Sequence, residues 1–260
     1  MLKIGFLQFE PQFADVAGNL NTVMNMLETV EADLMVLPEL AFTGYAFNNR
    51  AELESLAENP YESDITEALF SLCIRKKMHI VAGFAEKDGG KCFNSSLLIG
   101  LAGLEMIYRK LHLFNTEKNY FDPGNRPPAV WPVGGAMIGM MICFDWIFPE
   151  MARTLALRGA DIICHPANLV IPEKCQYSMV TRCVENRIYA VTANRFGTER
   201  GVSFTGGSQI VSPDGEILHR APAAHEEVAT VDIDVGLAHR KMITLRNDIF
   251  EDRRPEFYFG

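Results

Sequence analysis

The sequence predicts an α/β (α+β) protein built as a four-layer α-β-β-α sandwich of two mixed sheets, and three observations lead there. Short apolar runs alternate with segments of helical period along nearly the whole chain. The segment Ala32-Asp33-Leu34-Met35-Val36-Leu37-Pro38 is echoed by Ala160-Asp161-Ile162-Ile163-Cys164-His165-Pro166, each after a helical stretch, as two similar halves would give. A helix-to-strand grammar shared by unrelated units would produce the same echo. The 20 glycines and 13 prolines are spread out rather than pooled, so residues 1–260 read as one domain without a linker.

The elements follow in order. Residues 2–9 form a strand, and residues 19–31 a helix, with Leu20, Val23, Met24, Leu27 and Val30 at helical spacing. The apolar run 32–37 is a strand closed by Pro38-Glu39-Leu40. Residues 64–77 form a helix with Ile65, Leu69, Leu72 and Cys73 on one face, followed by a strand meander over 80–85, 95–99 and 105–108. A buried strand over 136–142 leads through Cys143 and a turn into a helix over 151–158. A strand at 161–165, a helix at 173–187 and strands at 189–193, 207–211, 216–220 and 228–233 complete a second set.

Three ionisable residues are delivered in the same way. Glu39, Lys110 and Cys143 each stand at the end of a short hydrophobic strand. A thiol at a strand-to-helix turn lies near the positive end of the helix dipole, which favours thiolate and nucleophilicity. Singly, each has a bland reading: a turn cap for Glu39, a solvated strand end for Lys110, an inert buried cysteine for Cys143. Three such positions in one chain make coincidence less attractive, although spacing alone does not bring them together in space.

The segments Leu37-Pro38-Glu39-Leu40, Arg109-Lys110-Leu111-His112-Leu113-Phe114 and Ile142-Cys143-Phe144-Asp145 resemble the three signature segments of the nitrilase superfamily of carbon–nitrogen hydrolases, in that family's order. The resemblance extends to Phe42-Thr43-Gly44-Tyr45, to residues 117–124, to His165-Pro166-Ala167-Asn168, to Arg182 with Glu185-Asn186-Arg187, and to Ser212-Pro213-Asp214-Gly215. It implies the same sandwich fold and a reaction in which a thiol attacks the carbon of an amide or nitrile, ammonia leaves, and water cleaves the thioester. Carried onto this chain, Cys143 is the nucleophile and Glu39 the base that also returns the proton. Lys110 with the backbone N–H of Phe144 holds the oxyanion. Glu117 matches the place where many members carry a second glutamate against the lysine. Tyr45, Trp146 and Asn168 follow the strand ends that carry the site and are candidates for substrate binding, with core packing or loop structure at least as good a reading of each. Asn94 reads as a turn or backbone acceptor, and Glu185 with Arg187 as a structural ion-pair set.

Composition narrows the class. The chain is 48% hydrophobic and 22% charged with a net charge of −9, so it carries no electrostatic footprint for nucleic acid or an anionic membrane. No metal or other cofactor is expected: the six histidines are scattered, and His165 reads as a locally satisfied strand-end residue rather than a ligand. The six cysteines form no compact disulfide framework, no signal segment opens the chain and no run is long enough to span a membrane, which points to the cytoplasm.

The partner expected is a small-molecule amide or nitrile. Trp146 stands where many relatives acting on carboxylate-bearing amides have arginine, so a bidentate carboxylate reader is missing there. True nitrilases tend to have Trp-Glu after the cysteine, and this chain has Phe144-Asp145 as in the amidase-like branches. Yet residues 143–150 and the tail also resemble small archaeal-type aliphatic nitrilases. An amide is therefore the first expectation, a nitrile the second, a carbamoyl compound the third and a non-catalytic binding role the last. The tail, residues 246–260, is charged yet ends in Phe257-Tyr258-Phe259 before Gly260. It reads either as folded back on its own body or as packed across a homodimer, as C-terminal segments of the resembled family commonly are.

Overall fold

The computed structural model describes residues 1–258. The first half runs β1 (Leu2–Gln8), α1 (Val16–Glu28), β2 (Leu34–Val36), α2 (Arg50–Leu56), α3 (Asp64–Lys76), β3 (His79–Asp88), β4 (Lys91–Gly100) and β5 (Gly103–Arg109). The second runs β6 (Val130–Val133), β7 (Ala136–Met140), α4 (Pro149–Leu157), β8 (Ile162–Ala167), α5 (Lys174–Asn186), β9 (Tyr189–Asn194), the hairpin β10 (Phe196–Glu199) and β11 (Val202–Thr205), β12 (Gln209–Val211), β13 (Ile217–Arg220) and β14 (Glu227–Ile233). The helix α6 (Gly236–His239) and the small hairpin β15 (Met242–Thr244) with β16 (Asn247–Asp248) follow. Two six-stranded mixed sheets result, ordered β14-β1-β2-β3-β4-β5 and β13-β12-β9-β8-β7-β6.

The echo in the sequence marks equivalent places. β2 runs parallel to both β1 and β3, and β8 runs parallel to both β7 and β9. Strands covered on both faces need apolar side chains on both, and residues 34–37 and 162–164 of the echo segments supply them. Alternation along each strand then sorts the layers. Leu2, Ile4, Phe6, Leu34 and Val36 join Ile138, Ile162 and Val191 in the core between the sheets. Leu7, Phe9, Met35 and Leu37 face outward onto Val23 and Leu27 of α1 and Leu69 and Leu72 of α3. Helices α4 and α5 cover the second sheet through Leu155, Met179 and Cys183. The four expected layers are present.

Differences from expectation have local causes. Helix α1 begins at Val16 rather than residue 19 because Asp15 caps it, accepting from the Gly18 N–H at 3.0 Å. β3 and β4 are longer than their apolar runs because Gly89 and Gly90, at φ +54° and +81°, close them into one tight hairpin. The short α2, which buries only Leu53, and the edge strand β6 carry too little periodicity to be read; Pro132 is tolerated in β6 because an edge strand has a free side. The Cys143 strand ends at Met140, and a 3-10 turn, Cys143–Ile147, separates it from α4.

The tail is partly folded back. Lys241 donates to the carbonyls of Asn186 and Arg187 at 3.1 and 2.9 Å, closing the C-terminal end of α5, and lies with Arg153 over the ring of Phe250. Leu245, Phe257 and Tyr258 are exposed. The third aromatic of the tail, Phe259, and Gly260 lie outside the described residues. No helix among the described residues is long and apolar enough to cross a membrane.

Candidate active site

Strand ends on one side of the sandwich bring the site together. Glu39 follows β2, and its backbone is pinned on both sides. Gly83 donates to the Pro38 carbonyl at 3.2 Å, and the Asn168 amide donates to the Glu39 carbonyl at 2.9 Å. Only glycine fits at position 83: a Cβ there would lie 2.4 Å from the Glu39 Cα. Lys110 follows β5, its N–H donating to the Asn94 carbonyl and its carbonyl accepting from Gly124, both at 2.8 Å. Glu117 stands in the 3-10 turn Asn115–Asn119, and Cys143 opens the turn after β7.

Lys110 links the carboxylates. Its Nζ lies 2.6 Å from Glu39 Oε1 and 2.8 Å from Glu117 Oε1, with all three side chains shut off from solvent. Asn94 Nδ2 also donates to Glu39 Oε1 at 2.7 Å, and the Tyr45 hydroxyl donates to Glu117 Oε1 at 2.7 Å. Glu117 Oε2 accepts from the Phe114 N–H. Every carboxylate oxygen here is therefore engaged except Glu39 Oε2, which is buried without a partner. A buried carboxylate oxygen left without a partner is costly.

The charges shift one another. Burial opposes the Lys110 ammonium, but Glu117 and Glu39 outweigh it and hold the lysine well above its ordinary range. Burial raises Glu39; Lys110 pulls it down, Glu117 pushes it up, and the net direction is up. Burial also raises Cys143 well above an ordinary thiol, with Glu39 adding to the rise and Lys110 and the Asn168 N–H opposing it. This corrects the expectation of a helix-stabilised thiolate. The helix dipole is not in place, because a 3-10 turn intervenes and α4 starts only at Pro149, and burial, with two carboxylates adding to it, keeps the proton on sulfur. The resting group is a thiol.

The other residues singled out from the sequence are found as follows. The Phe144 N–H donates to no protein group among the described residues. Phe144, Trp146 and Asn168 line a small, half-open pocket over Cys143 with Phe114, Leu169, Val170 and Ile171. No charged side chain is among them. Tyr45 does not line that pocket; it is buried beneath, on Glu117, its loop held by Glu199, which accepts from the Tyr45 and Ala46 N–H groups. Asn94 is a backbone acceptor, as read, but sits within β4 rather than a turn, and its side-chain bond to Glu39 was not foreseen. Glu185 pairs with Arg182 at 3.2 Å and Arg187 with Asp214, so both are ion-paired, though not to each other.

The sequence left Asp145 without a role and read His165 only as a locally satisfied strand-end residue. Asp145 is fully buried and accepts from the Ile142 N–H, the Tyr108 hydroxyl and both the N–H and Nδ1 of His112, bracing the cysteine turn. His165 Nε2 lies 3.0 Å from the Cys143 carbonyl and Nδ1 3.1 Å from Thr192 Oγ1. Burial lowers His165 to about 4 from 6.5. Between those values the unfolded chain binds a proton there that the folded protein does not. Stability from this group is therefore complete above pH 6.5 and falls as the pH drops toward 4, by about 3 kcal/mol. Glu39, with a raised pKa, works with the opposite sign, so urea unfolding of the parent is to be compared with His165→Gln across this range. A difference independent of pH would contradict the linkage.

A family model described as carbon-nitrogen hydrolase matches residues 3–240. The chain belongs to this family. As a carbon–nitrogen hydrolase of the nitrilase superfamily it acts on C–N bonds other than peptide bonds. It is 44% identical over 262 residues to a nitrilase of Pyrococcus abyssi, covering 100% of both chains. It is 32% identical over 259 residues to an (R)-stereoselective amidase of Pseudomonas sp, covering 97% of this chain and 92% of that one. An amidase from Nesterenkonia sp. superposes with a TM-score of 0.82 at 25% identity, covering 98% of this hydrolase and 94% of the amidase. A variant of that amidase carries the acetamide moiety of fluoroacetamide covalently added at its active-site cysteine. Among the described residues of the hydrolase, no group of three or more His, Cys, Asp or Glu could hold a metal ion, and all six cysteines are free.

Proposed function

We propose that this hydrolase converts a small, linear, uncharged amide into a carboxylic acid and ammonia through a thioester on Cys143. The observation that carries the reading is the pairing of Lys110 with Glu39 Oε1, which leaves Glu39 Oε2 unpartnered in the same buried cluster as the thiol. Glu39 Oε2 takes the thiol proton as sulfur attacks the carbonyl carbon. The C=O electron pair moves onto oxygen, where Lys110 and the Phe144 N–H stabilise it. The carbonyl re-forms, the C–N bond breaks and the proton passes from Glu39 to the departing ammonia. Water, deprotonated by Glu39, then attacks the thioester; the C–S bond breaks and the thiol recovers its proton. Glu117 holds Lys110 in place and charged.

A neutral, short substrate is favoured because the pocket over Cys143 is small and lined without a charged side chain. Hydrolysis of an aliphatic nitrile is the second reading, favoured by the full-length identity to the Pyrococcus abyssi nitrilase. In that case sulfur adds to the nitrile carbon to give a thioimidate. One water adds and ammonia leaves to give the thioester, and a second water cleaves the C–S bond to release the acid and the thiol.

The test is ammonia release from short aliphatic amides, omega-amides, carbamoyl amines and dinitriles, with Cys143→Ala alongside. Turnover of neutral amides, abolished by the substitution, is expected. Turnover of nitriles alone would select the second reading, and none from any class, with a thiol that resists iodoacetamide, would sink both.

We also infer a homodimer joined through the tail, since Leu245, Phe257 and Tyr258 leave apolar surface uncovered. Sedimentation at the monomer mass of 29.1 kDa would refute it. Six free cysteines, one of them the proposed nucleophile, suit a reducing compartment such as the cytoplasm.

A further inference from the structure

We propose that His165, locked in one tautomer by Thr192, is a positioning residue that fixes the Cys143–Phe144 peptide so that its N–H is presented to the developing oxyanion. This rests on the reading of Cys143 as the nucleophile.

The hydrogen-bond pattern allows only one arrangement. A carbonyl oxygen can only accept, so the 3.0 Å contact to the Cys143 carbonyl requires the proton on His165 Nε2. In the neutral ring Nδ1 is then the acceptor, and the Thr192 hydroxyl, 3.1 Å away, is the donor. Thr192 is the direct neighbour of His165 across the β8–β9 pair, so the lock is built into the sheet register. The ring is completely buried and its lowered pKa keeps it neutral at ordinary pH.

The backbone explains why such a lock is needed. Cys143 has φ +39°, in the left-handed region that a residue with a Cβ occupies only under constraint. Nearby, Asp145 holds the Ile142 N–H at 2.9 Å on the preceding side. On the following side, His165 holds the carbonyl. A trans peptide is planar, with its C=O and N–H pointing in opposite directions. Anchoring the Cys143 carbonyl on the His165 side therefore turns the Phe144 N–H the other way, and that N–H has no acceptor among the described residues. A donor on the carbonyl also polarises the peptide and strengthens its N–H as a donor. Without His165, this one peptide is free to rotate through ψ of Cys143 and φ of Phe144, which would withdraw the N–H.

Four variants test this: His165→Leu, His165→Gln, Thr192→Val and Thr192→Ser. Each is assayed for kcat and KM on the best substrate of the panel, for the rate of Cys143 alkylation by iodoacetamide, and for thermal unfolding. Alkylation needs the thiol but no oxyanion donor, so it separates the two functions. His165→Leu is expected to lower kcat ~100-fold with KM nearly unchanged, the loss typical of one oxyanion donor. Its alkylation rate should stay within about threefold of the parent, and glutamine, which can donate from the Nε2 position, should restore kcat to within about tenfold. Thr192→Val, which frees the wrong tautomer, should lose about tenfold and Thr192→Ser almost nothing. A parental kcat in His165→Leu or in Thr192→Val would overturn the proposal, and so would kcat and alkylation falling together without rescue by glutamine. Should His165→Leu not fold, the threonine pair decides alone. Turnover surviving in Cys143→Ala would instead overturn the nucleophile reading, and this inference with it.

Discussion

Replacing Lys110 by methionine is expected to reduce amide turnover about 10³-fold or more and to destabilise the fold by about 3–5 kcal/mol. Both effects come from one geometry. The ammonium is buried between Glu39 and Glu117 at 2.6 and 2.8 Å, so its removal leaves two carboxylates without a counter-charge in a place water does not reach. The stability loss reports that uncompensated charge, and the rate loss reports the missing oxyanion partner. The double variant Lys110→Met with Glu117→Gln separates them, because removing one carboxylate should recover part of the stability and none of the turnover. Urea unfolding with steady-state ammonia release makes the measurement. Turnover within tenfold of the parent in the single variant would show that Lys110 is structural only.

Glu39→Gln should abolish turnover while making the thiol easier to ionise. Burial is the largest cause of the raised Cys143 pKa and Glu39 the next, with Lys110 acting against them. Removing the carboxylate charge leaves the lysine less opposed, so the pKa of the sulfur moves down toward the ordinary range. Turnover nevertheless falls, because no group remains to carry the proton to ammonia or to take one from water. General acid–base loss of this kind is typically worth about 10²–10⁴-fold. The pH dependence of iodoacetamide alkylation, with the modified residue located by mass, gives the direction of the shift. A midpoint that moves upward, or turnover that persists, would remove Glu39 from the proposed role.

Much of the fold was legible because its signals are local. The period of Val23, Leu27, Leu69 and Leu72 foretells α1 and α3, and the continuous apolar runs at 34–37 and 162–164 foretell strands covered on both faces. Helix α2 and strand β6 were not legible: one buries a single leucine and the other carries a proline on a free edge. Of the candidate site, Glu39, Lys110 and Cys143 were singled out by their place at strand ends and by resemblance, and Glu117 by resemblance alone. Asn94 was read for its backbone alone, because the middle of a strand gives no sign of what lies across it; its side chain reaches Glu39 from 55 residues away. The expected thiolate failed for a related reason. Sequence shows that a turn follows Cys143, but not that the turn is 3-10 or that two carboxylates stand beside the sulfur.

By itself, then, the sequence determined most of the larger elements and the side chains that stand at the ends of three strands. Hydrophobic period, caps and turn chemistry act over a few residues and are written where they act. Only the tertiary structure decided how those ends behave as one site. The pairing of Glu39 with Lys110 spans 71 residues and that of Asn168 with the Glu39 backbone 129. Protonation states follow from burial and from charges a few ångströms away in space, and neither quantity exists until the two sheets have closed on each other.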